Sequence, residues 1–401
     1  MKIKRMAVSC LGLTLALLCC IVCASCNQRQ AEPGPNSEVK NIQFAITENY
    51  IFADWGKIYR FDRSTETFSL ACTDPDCDSN RCPLECVVNY FAGVSDGKVY
   101  FSSFQQFSHN TLLSYLDTAT GECVTIKTMS EAEDPEAISS YVEDGWWYYP
   151  RKILKEGGDA SNSNDYDFWL CKISLDGQND QTIRQLKDTE TIQMVAAGVI
   201  VTYSGGKFYA TDIDDYSVSE LFDFGAFGFT HPYTDIYCVD NKAYFLAAST
   251  TTKHSEYTQQ SYPLTFLICI DLNTKQAWQV LDQPLCYFYP TGDTIYYVPF
   301  ELRHIYIPDN YEENPSGVMI CLFEDAIYQC DLNGENSKKL YSNDQIDFAE
   351  NVIVIDGILY GWLYDYNEAT HTYDKTFFGG IDLKTGRVIR TEKPQKAQPQ
   401  S

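Results

Sequence analysis

The sequence predicts an all-β chain, a β-propeller built of four-stranded antiparallel blades, and three observations lead there. A degenerate unit recurs in which a tight polar turn introduces an aromatic strand. It reads Asp96-Gly97-Lys98-Val99-Tyr100-Phe101, Asp144-Gly145-Trp146-Trp147-Tyr148-Tyr149, Asp240-Asn241-Lys242-Ala243-Tyr244-Phe245, Gly292-Asp293-Thr294-Ile295-Tyr296-Tyr297 and Asp356-Gly357-Ile358-Leu359-Tyr360. A second strand follows, ending in a second polar turn, as in Leu112 to Asp117 before Thr118-Ala119-Thr120-Gly121, Phe266 to Asp271 before Leu272-Asn273-Thr274-Lys275, and Phe377 to Asp382 before Leu383-Lys384-Thr385-Gly386. Such turns between aromatic and β-branched strands mark antiparallel hairpins. The period, roughly 40 to 50 residues with several short strands in each, is that of propeller blades.

Each unit is then a meander of strands a, b, c and d. Seven units begin near 41, 87, 134, 191, 226, 284 and 344; misreading one repeat would give six blades or eight. The first and fourth are less regular, with Tyr50-Ile51-Phe52 and Val199-Ile200-Val201 as strand b, and Lys57 to Phe61 and Lys207 to Ala210 as strand c. The 29 tyrosines suit strands whose rings fill the wedge between twisted blades while the hydroxyls reach a polar rim. Trp146-Trp147-Tyr148-Tyr149 reads as packing rather than a stacking platform for sugars, because alternate residues of a strand face opposite sides.

Residues 1–25 have a basic start (Lys2, Lys4, Arg5), an apolar run from Met6 to Val22 and the small pair Ala24-Ser25, the layout of an export signal. Ala-Ser-Cys resembles the lipobox of bacterial lipoproteins, which implies that Cys26 is diacylated and becomes the new N-terminus. Cys23 stands where that family usually has Leu; an uncleaved anchor and plain secretion are the other readings. Two acyl chains hold a protein stably on a membrane. Residues 26–40 are then the lipidated Cys and a polar tether, 41–390 the propeller, and 391–401 a polar, disordered tail. Residues 1–25 hold three basic and no acidic residues, so the remainder has 27 Lys and Arg against 55 Asp and Glu, a formal charge of −28. That balance excludes nucleic acid as a partner and disfavours anionic head groups.

In a meander the a–b and c–d turns lie at one end, and the b–c and d–a connections at the other. The a–b and c–d turns are tight. Long insertions fall between b and c: Ser102 to Thr111, Pro150 to Asp167, Ala248 to Pro263, Pro299 to Gly317 and Leu363 to Lys375. They predict five enlarged loops on one face, where function on a rigid scaffold usually sits. His109, His254, His304 and His371 lie in these insertions, and His231 in the connection from the fourth blade to the fifth, which makes the five the candidate binding-face residues. A ring of histidines would suit a transition metal or acid–base chemistry, but no nucleophile motif, metal-binding helical pair or phosphate loop accompanies them. No catalytic residue and no cofactor is therefore assigned.

Cys72, Cys77, Cys82 and Cys86 fall within fifteen residues between the first and second blades, on the same face. Export favours two local disulfides, for which three pairings exist. Zinc and free thiols are the other readings, and the spacing lacks the paired knuckles of common zinc folds. Asp74, Asp76, Asp78 and Glu85 overlay a calcium loop, but its Gly position is Ser79. Cys171, Cys269 and Cys330, on c strands, read as small buried hydrophobes.

The lipobox, the Asp-Gly-x-x-Tyr strands and the Cys-Thr-Asp-Pro-x-Cys segment at Cys72 followed by Cys82-Pro83 resemble a family of bacterial surface lipoproteins with a TolB-like or low-density-lipoprotein-receptor-like propeller. The resemblance spans nearly the whole chain, and only its cysteine segment is fairly specific. Ser79 replaces a His that relatives often carry, which speaks against a shared metal site. The resemblance implies a propeller lipid-anchored at the outer face of the cytoplasmic membrane, and it implies no activity. The expectation is a non-enzymatic scaffold that binds a protein or glycan partner through the loop-rich face. A structural subunit of an envelope complex is the alternative, with a hydrolase or lyase at the central channel behind both.

Overall fold

The computed structural model describes residues 44–391 except 55, 73–81, 87, 106–107, 131–132, 134–139, 160–161, 163–164, 188, 235, 311, 313–317, 325, 343–345, 349–351 and 368–371. The export signal, Cys26, the tether, Cys77, His371 and residues 392–401 lie outside them, whereas Thr391, expected at the start of a disordered tail, is buried and donates its hydroxyl to the Phe378 carbonyl. Among the described residues no helix is long and apolar enough to cross a membrane.

Seven antiparallel sheets follow one another in chain order. Blade 1 is Phe44–Ile46, Tyr50–Asp54, Ile58–Asp62 and Thr67–Leu70. Blade 2 is Val88–Ser95, Lys98–Gln105, Asn110–Asp117 and Cys123–Met129. Blade 3 is Tyr141–Glu143, Trp146–Leu154, Tyr166–Ser174 and Asp180–Gln185. Blade 4 is Thr191–Ala196, Val199–Ser204, Lys207–Asp212 and Val218–Asp223.

The later blades interrupt one strand each. Blade 5 splits strand a into Phe229–Pro232 and Tyr237–Val239, both on strand b Lys242–His254, and continues through Ser261–Asp271 and Ala277–Gln279. Blade 6 has Leu285–Thr291 and Thr294–Tyr306, a strand c split into Met319–Phe323 and Ala326–Asp331, then Lys338–Ser342. Blade 7 splits strand a into Ile346–Phe348 and Ile353–Ile355, followed by Ile358–Asn367, Thr372–Asp382 and Val388–Arg390. Each interruption leaves the pairing order intact, so every sheet is a four-stranded blade, and the expected count of seven holds. The a strands of blades 1 and 2, 2 and 3, 3 and 4, 5 and 6, and 6 and 7 are neighbours, which puts them innermost.

The a–b turns are what their residues dictate. Asp96 and Gly97 have φ of 49° and 72°, Asp144 and Gly145 of 47° and 79°, and Asp240 and Asn241 of 49° and 60°. A two-residue hairpin whose twist matches its strands needs positive φ at both central positions, which Gly, Asn and Asp tolerate best. The c–d turns use a different device. The Asp ending strand c accepts the N–H groups two and three residues on: Asp117 from Ala119 and Thr120 at 2.9 and 3.0 Å, Asp271 from Asn273 and Thr274 at 3.0 and 2.8 Å, and Asp382 from Lys384 and Thr385 at 2.9 and 2.9 Å.

Those amides, the Thr N–H foremost, hold the three carboxyls below the usual carboxylate range. A depressed folded pKa contributes stability that is complete above the unfolded value of about 3.9 and is lost as pH falls through the folded value. The melting temperature is therefore expected to drop below about pH 4, and Asn at positions 117, 271 and 382 together should make that acid limb shallower. Thermal scans from pH 7 to pH 3 check it; an unchanged acid limb in the triple variant would remove the turns as the cause.

The seams between blades are aromatic. Trp147, Tyr148 and Tyr149 are 0, 0 and 1 % exposed, so this run packs as expected, with only Trp146 half-buried. Several hydroxyls reach the rim: Tyr149 donates to Asp180 at 2.7 Å and Tyr244 to the Leu332 carbonyl at 3.3 Å. Cys171, Cys269 and Cys330 are buried on strand c, and burial pushes the latter two thiols up to about 12. Blade 7 meets blade 1 through side chains, with no strand exchanged between the first and last sheets of the described residues. Phe378 stacks on Phe68 at 5.0 Å and packs near Phe61, Phe44 and Trp362.

Candidate functional site

Strand direction divides the disc into two unlike faces. One holds the capped a–b and c–d turns, and the seven Asp residues that cap or end strand c (62, 117, 176, 212, 271, 331 and 382) all lie on it. The other holds the b–c and d–a connections. The five insertions do fall on this face, and strand takes up most of the length of those in blades 2, 5 and 7. Strands b and c pair as far as Gln105 with Asn110, Leu154 with Tyr166, His254 with Ser261, Tyr306 with Met319 and Asn367 with Thr372. The expectation of five enlarged loops is therefore corrected to extended hairpins in blades 2, 5 and 7, while blades 3 and 6 keep long connections, 155–165 and 307–318, at the tips of theirs. Backbone bonding explains the difference, since a polar strand beyond the core still satisfies its amides by pairing with its partner. Thr250 to Lys253 gave no alternating apolar signal because both faces of that stretch meet water.

Of the described histidines, His109, His254 and His304 stand on these hairpins, and His231 on strand a of blade 5. His109 lies in the blade 2 turn with φ of 54°, its ring 6.0 Å from Phe104. His231 lies on the upper half of strand a of blade 5, with Nδ1 2.8 Å from Thr230 Oγ1. His254 ends strand b of blade 5 and has Nδ1 3.1 Å from Ser261 Oγ. His304, on strand b of blade 6, has Nε2 3.0 Å from Ser255 Oγ, with the Tyr257 ring 4.6 Å away. The partners of these four are hydroxyls and rings. Among the described residues no group of three or more His, Cys, Asp or Glu could hold a metal.

The Ser255–His304 pair has the composition of a nucleophile and its base. Its surroundings fit a brace instead. Ser255 is fully buried, and its Oγ already accepts the Thr258 N–H at 3.2 Å, which leaves its proton for His304 Nε2. A nucleophile needs an open approach to a reacting carbon; this hydroxyl ties the blade 5 hairpin to blade 6.

The cysteine segment borders the same face. A 3₁₀ turn, Pro83–Glu85, follows Cys82 and is wholly buried. Leu84 and Cys82 join Ala45, Phe52, Phe91 and Phe101 in the core between blades 1 and 2. The Glu85 carboxylate, 2 % exposed, pairs with Lys57 from the b–c turn of blade 1. Cys72 and Cys82 have Sγ atoms 3.7 Å apart, whereas Cys86 points its Sγ at the Cys82 carbonyl, 3.8 Å away. Burial raises the Cys86 thiol pKa.

Exposed apolar side chains complete the face, and the sequence reading did not single them out. Ile153 and Leu154, at the tip of strand b in blade 3, are 36 and 41 % exposed. Phe227, in the connection from blade 4 to blade 5, is 51 % exposed with its ring 4.6 Å from Phe222. The apolar pair follows the partly buried Arg151 and Lys152, where the strand leaves the core.

No family model matches the chain, and no curated protein matches it in sequence. Solved structures match in fold. A puromycin hydrolase mutant complexed with PGG has a TM-score of 0.51 at 11 % identity, covering 92 % of this chain and 55 % of that one. The acylaminoacyl peptidase of Pyrococcus horikoshii gives 0.49 at 9 %, over 88 and 52 %. The propeller domain of the Trilobed protease of Pyrococcus furiosus, described as having an open velcro topology, gives 0.48 at 9 %, over 90 and 100 %. The chain spans about half the length of the two longer matches. At these identities the likeness is one of fold alone, and the fold of this chain is a seven-bladed all-β disc.

Proposed function

We propose that this protein is a lipid-anchored extracytoplasmic scaffold that binds a protein or glycan partner through its hairpin face. The observation that supports it is the asymmetry of the disc. One face is a ring of short, capped turns; the other carries five hairpins, with polar strand ends such as Thr250 to His254 beside exposed Ile153, Leu154 and Phe227. Projecting edges with a few apolar anchors and many donors are the composition of a recognition surface.

The topology adds a spatial argument. The chain enters at Phe44 and leaves at Arg390, and both ends belong to the hairpin face because strand a starts there and strand d finishes there. An acylated Cys26 would tether that face, and residues 27–43 span at most about 60 Å when fully extended. The acidic turn face would then look away from anionic head groups, the arrangement that electrostatics favours.

The test is a comparison of variants on intact cells of the host. One shortens the blade 5 hairpin by joining Ser249 to Pro263 through Asn-Gly; another replaces Ile153 and Leu154 by Glu. Partners crosslinked to the unaltered chain should be lost at least tenfold in both, with melting temperatures within a few degrees of the parent. Undiminished crosslinking by both folded variants would rule out this face.

A further inference from the structure

We propose that Cys72 and Cys82 are joined by a disulfide that closes the connection between blades 1 and 2. Among the described cysteines of this segment, Cys72, Cys82 and Cys86, the fold brings the sulfurs of Cys72 and Cys82 to within 3.7 Å of each other. A bond needs about 2.05 Å, and side-chain rotation can close the gap. Both anchor points are already set by the core. Ala71, just before Cys72, is 6 % exposed and donates its N–H to the Ile58 carbonyl at 3.0 Å. Cys82 leads into the buried 3₁₀ turn held by Leu84 in the core and by Glu85 on Lys57. The bond would therefore join two positions that folding has placed, and would constrain residues 73–81 between them.

Cys86 is the competitor nearest in sequence, and its placement argues against it. Its sulfur is fully buried and directed at the Cys82 carbonyl, and its raised pKa keeps the nucleophilic thiolate scarce. Cys72 is the more exposed member of the proposed pair and so the natural first attacker. Its thiolate attacks an external disulfide oxidant and releases one thiol; Cys82 then attacks the Cys72 sulfur of the mixed disulfide and releases the second. Two electrons and two protons pass to the oxidant, which leaves as two thiols. This inference is independent of the lipid anchor and of any partner.

The test is a peptide map of the full chain after equilibration with oxidised glutathione and blocking with N-ethylmaleimide. Cleavage before Asp74, Asp76 and Asp78 parts Cys72 from Cys77, and cleavage after Glu85 parts Cys82 from Cys86. A Cys72 peptide crosslinked to the peptide running from Asp78 to Glu85 is expected. The oxidised parent should melt several degrees above its reduced form, and that difference should vanish in Cys72→Ser and persist in Cys86→Ser. Cys72 bonded to any other cysteine, or both Cys72 and Cys82 alkylated, would overturn the assignment, and the map of the unaltered chain decides this even if a variant fails to fold.

Discussion

Replacing Phe378 by Ala is expected to destabilise the disc by about 3–5 kcal/mol, the usual cost of emptying a well-packed aromatic site. Phe378 is 1 % exposed on strand c of blade 7, and its ring touches the ring-closing seam from every side. It stacks on Phe68 of blade 1, lies 5.5 Å from Phe61 and 6.1 Å from Phe44, and meets Trp362 edge-on at 5.3 Å. The described first and last sheets share no strand, so backbone hydrogen bonds cannot substitute for the lost contacts. The surrounding ion pairs, Arg387 with Glu66 at 2.7 Å and Arg63 with Asp356, reach the surface, where solvent screens them and they add little. Denaturant titration measures the loss. Hydrogen exchange should show amides of Phe44–Ile46 and of the strand around Ile381 losing protection before those of blades 3 and 4. A uniform loss of protection would mean that this seam is no weaker than the others.

A comparable loss is expected from Glu190→Gln, which leaves Arg184 facing a neutral group in a largely buried site. The two side chains are 2 and 16 % exposed, at the junction of blades 3 and 4. Arg184 makes a fork to the carboxylate, 2.5 Å to Oε1 and 3.2 Å to Oε2, and bonds Thr211 Oγ1 at 3.1 Å. Thr202 donates to Oε1 at 2.6 Å and the Lys187 N–H to Oε2 at 2.9 Å. Breaking a buried pair on one side costs about 3–5 kcal/mol because the remaining charge is uncompensated. Burial alone would raise the Glu190 pKa, but the bonds from Arg184, Thr202 and Lys187 outweigh it and the value is lowered. The stability from this pair is therefore complete above the unfolded value of about 4.3 and is lost as pH falls through the folded one. Denaturation at pH 7 should show the loss in Glu190→Gln, with the gap to the parent narrowing toward pH 3. A double change of Arg184→Met with Glu190→Leu should recover much of it; a double variant as weak as the single would show that the charges themselves are needed.

The parts of the fold that were legible in the sequence are those set by neighbouring residues. Asp-Gly and Asp-Asn turns announce themselves because few residues accept positive φ, and strand c can be counted by the Asp that closes its turn. Blade starts expected near 191 and 284 stand at Thr191 and Leu285. The candidate face was legible too, since strand reversal alone assigns each connection to one side. Less legible was what the insertions become. Thr250 to His254 is a strand because Ser261 to Pro263 lies opposite, and no residue in it says so.

The sequence by itself determined the repeat, the turn chemistry, the two unlike faces and the burial of Trp147 to Tyr149, because each depends on residues within a few positions of one another. Only the tertiary structure decided which distant groups meet. Ser255 finds His304, Arg184 finds Thr202 and Thr211, Glu85 finds Lys57, and the Cys72 sulfur finds that of Cys82 while the Cys86 sulfur meets the Cys82 carbonyl. Most of these contacts bridge blades or the connections between them, where separation along the chain carries no periodicity, and the physical cause is the packing of one twisted sheet against the next.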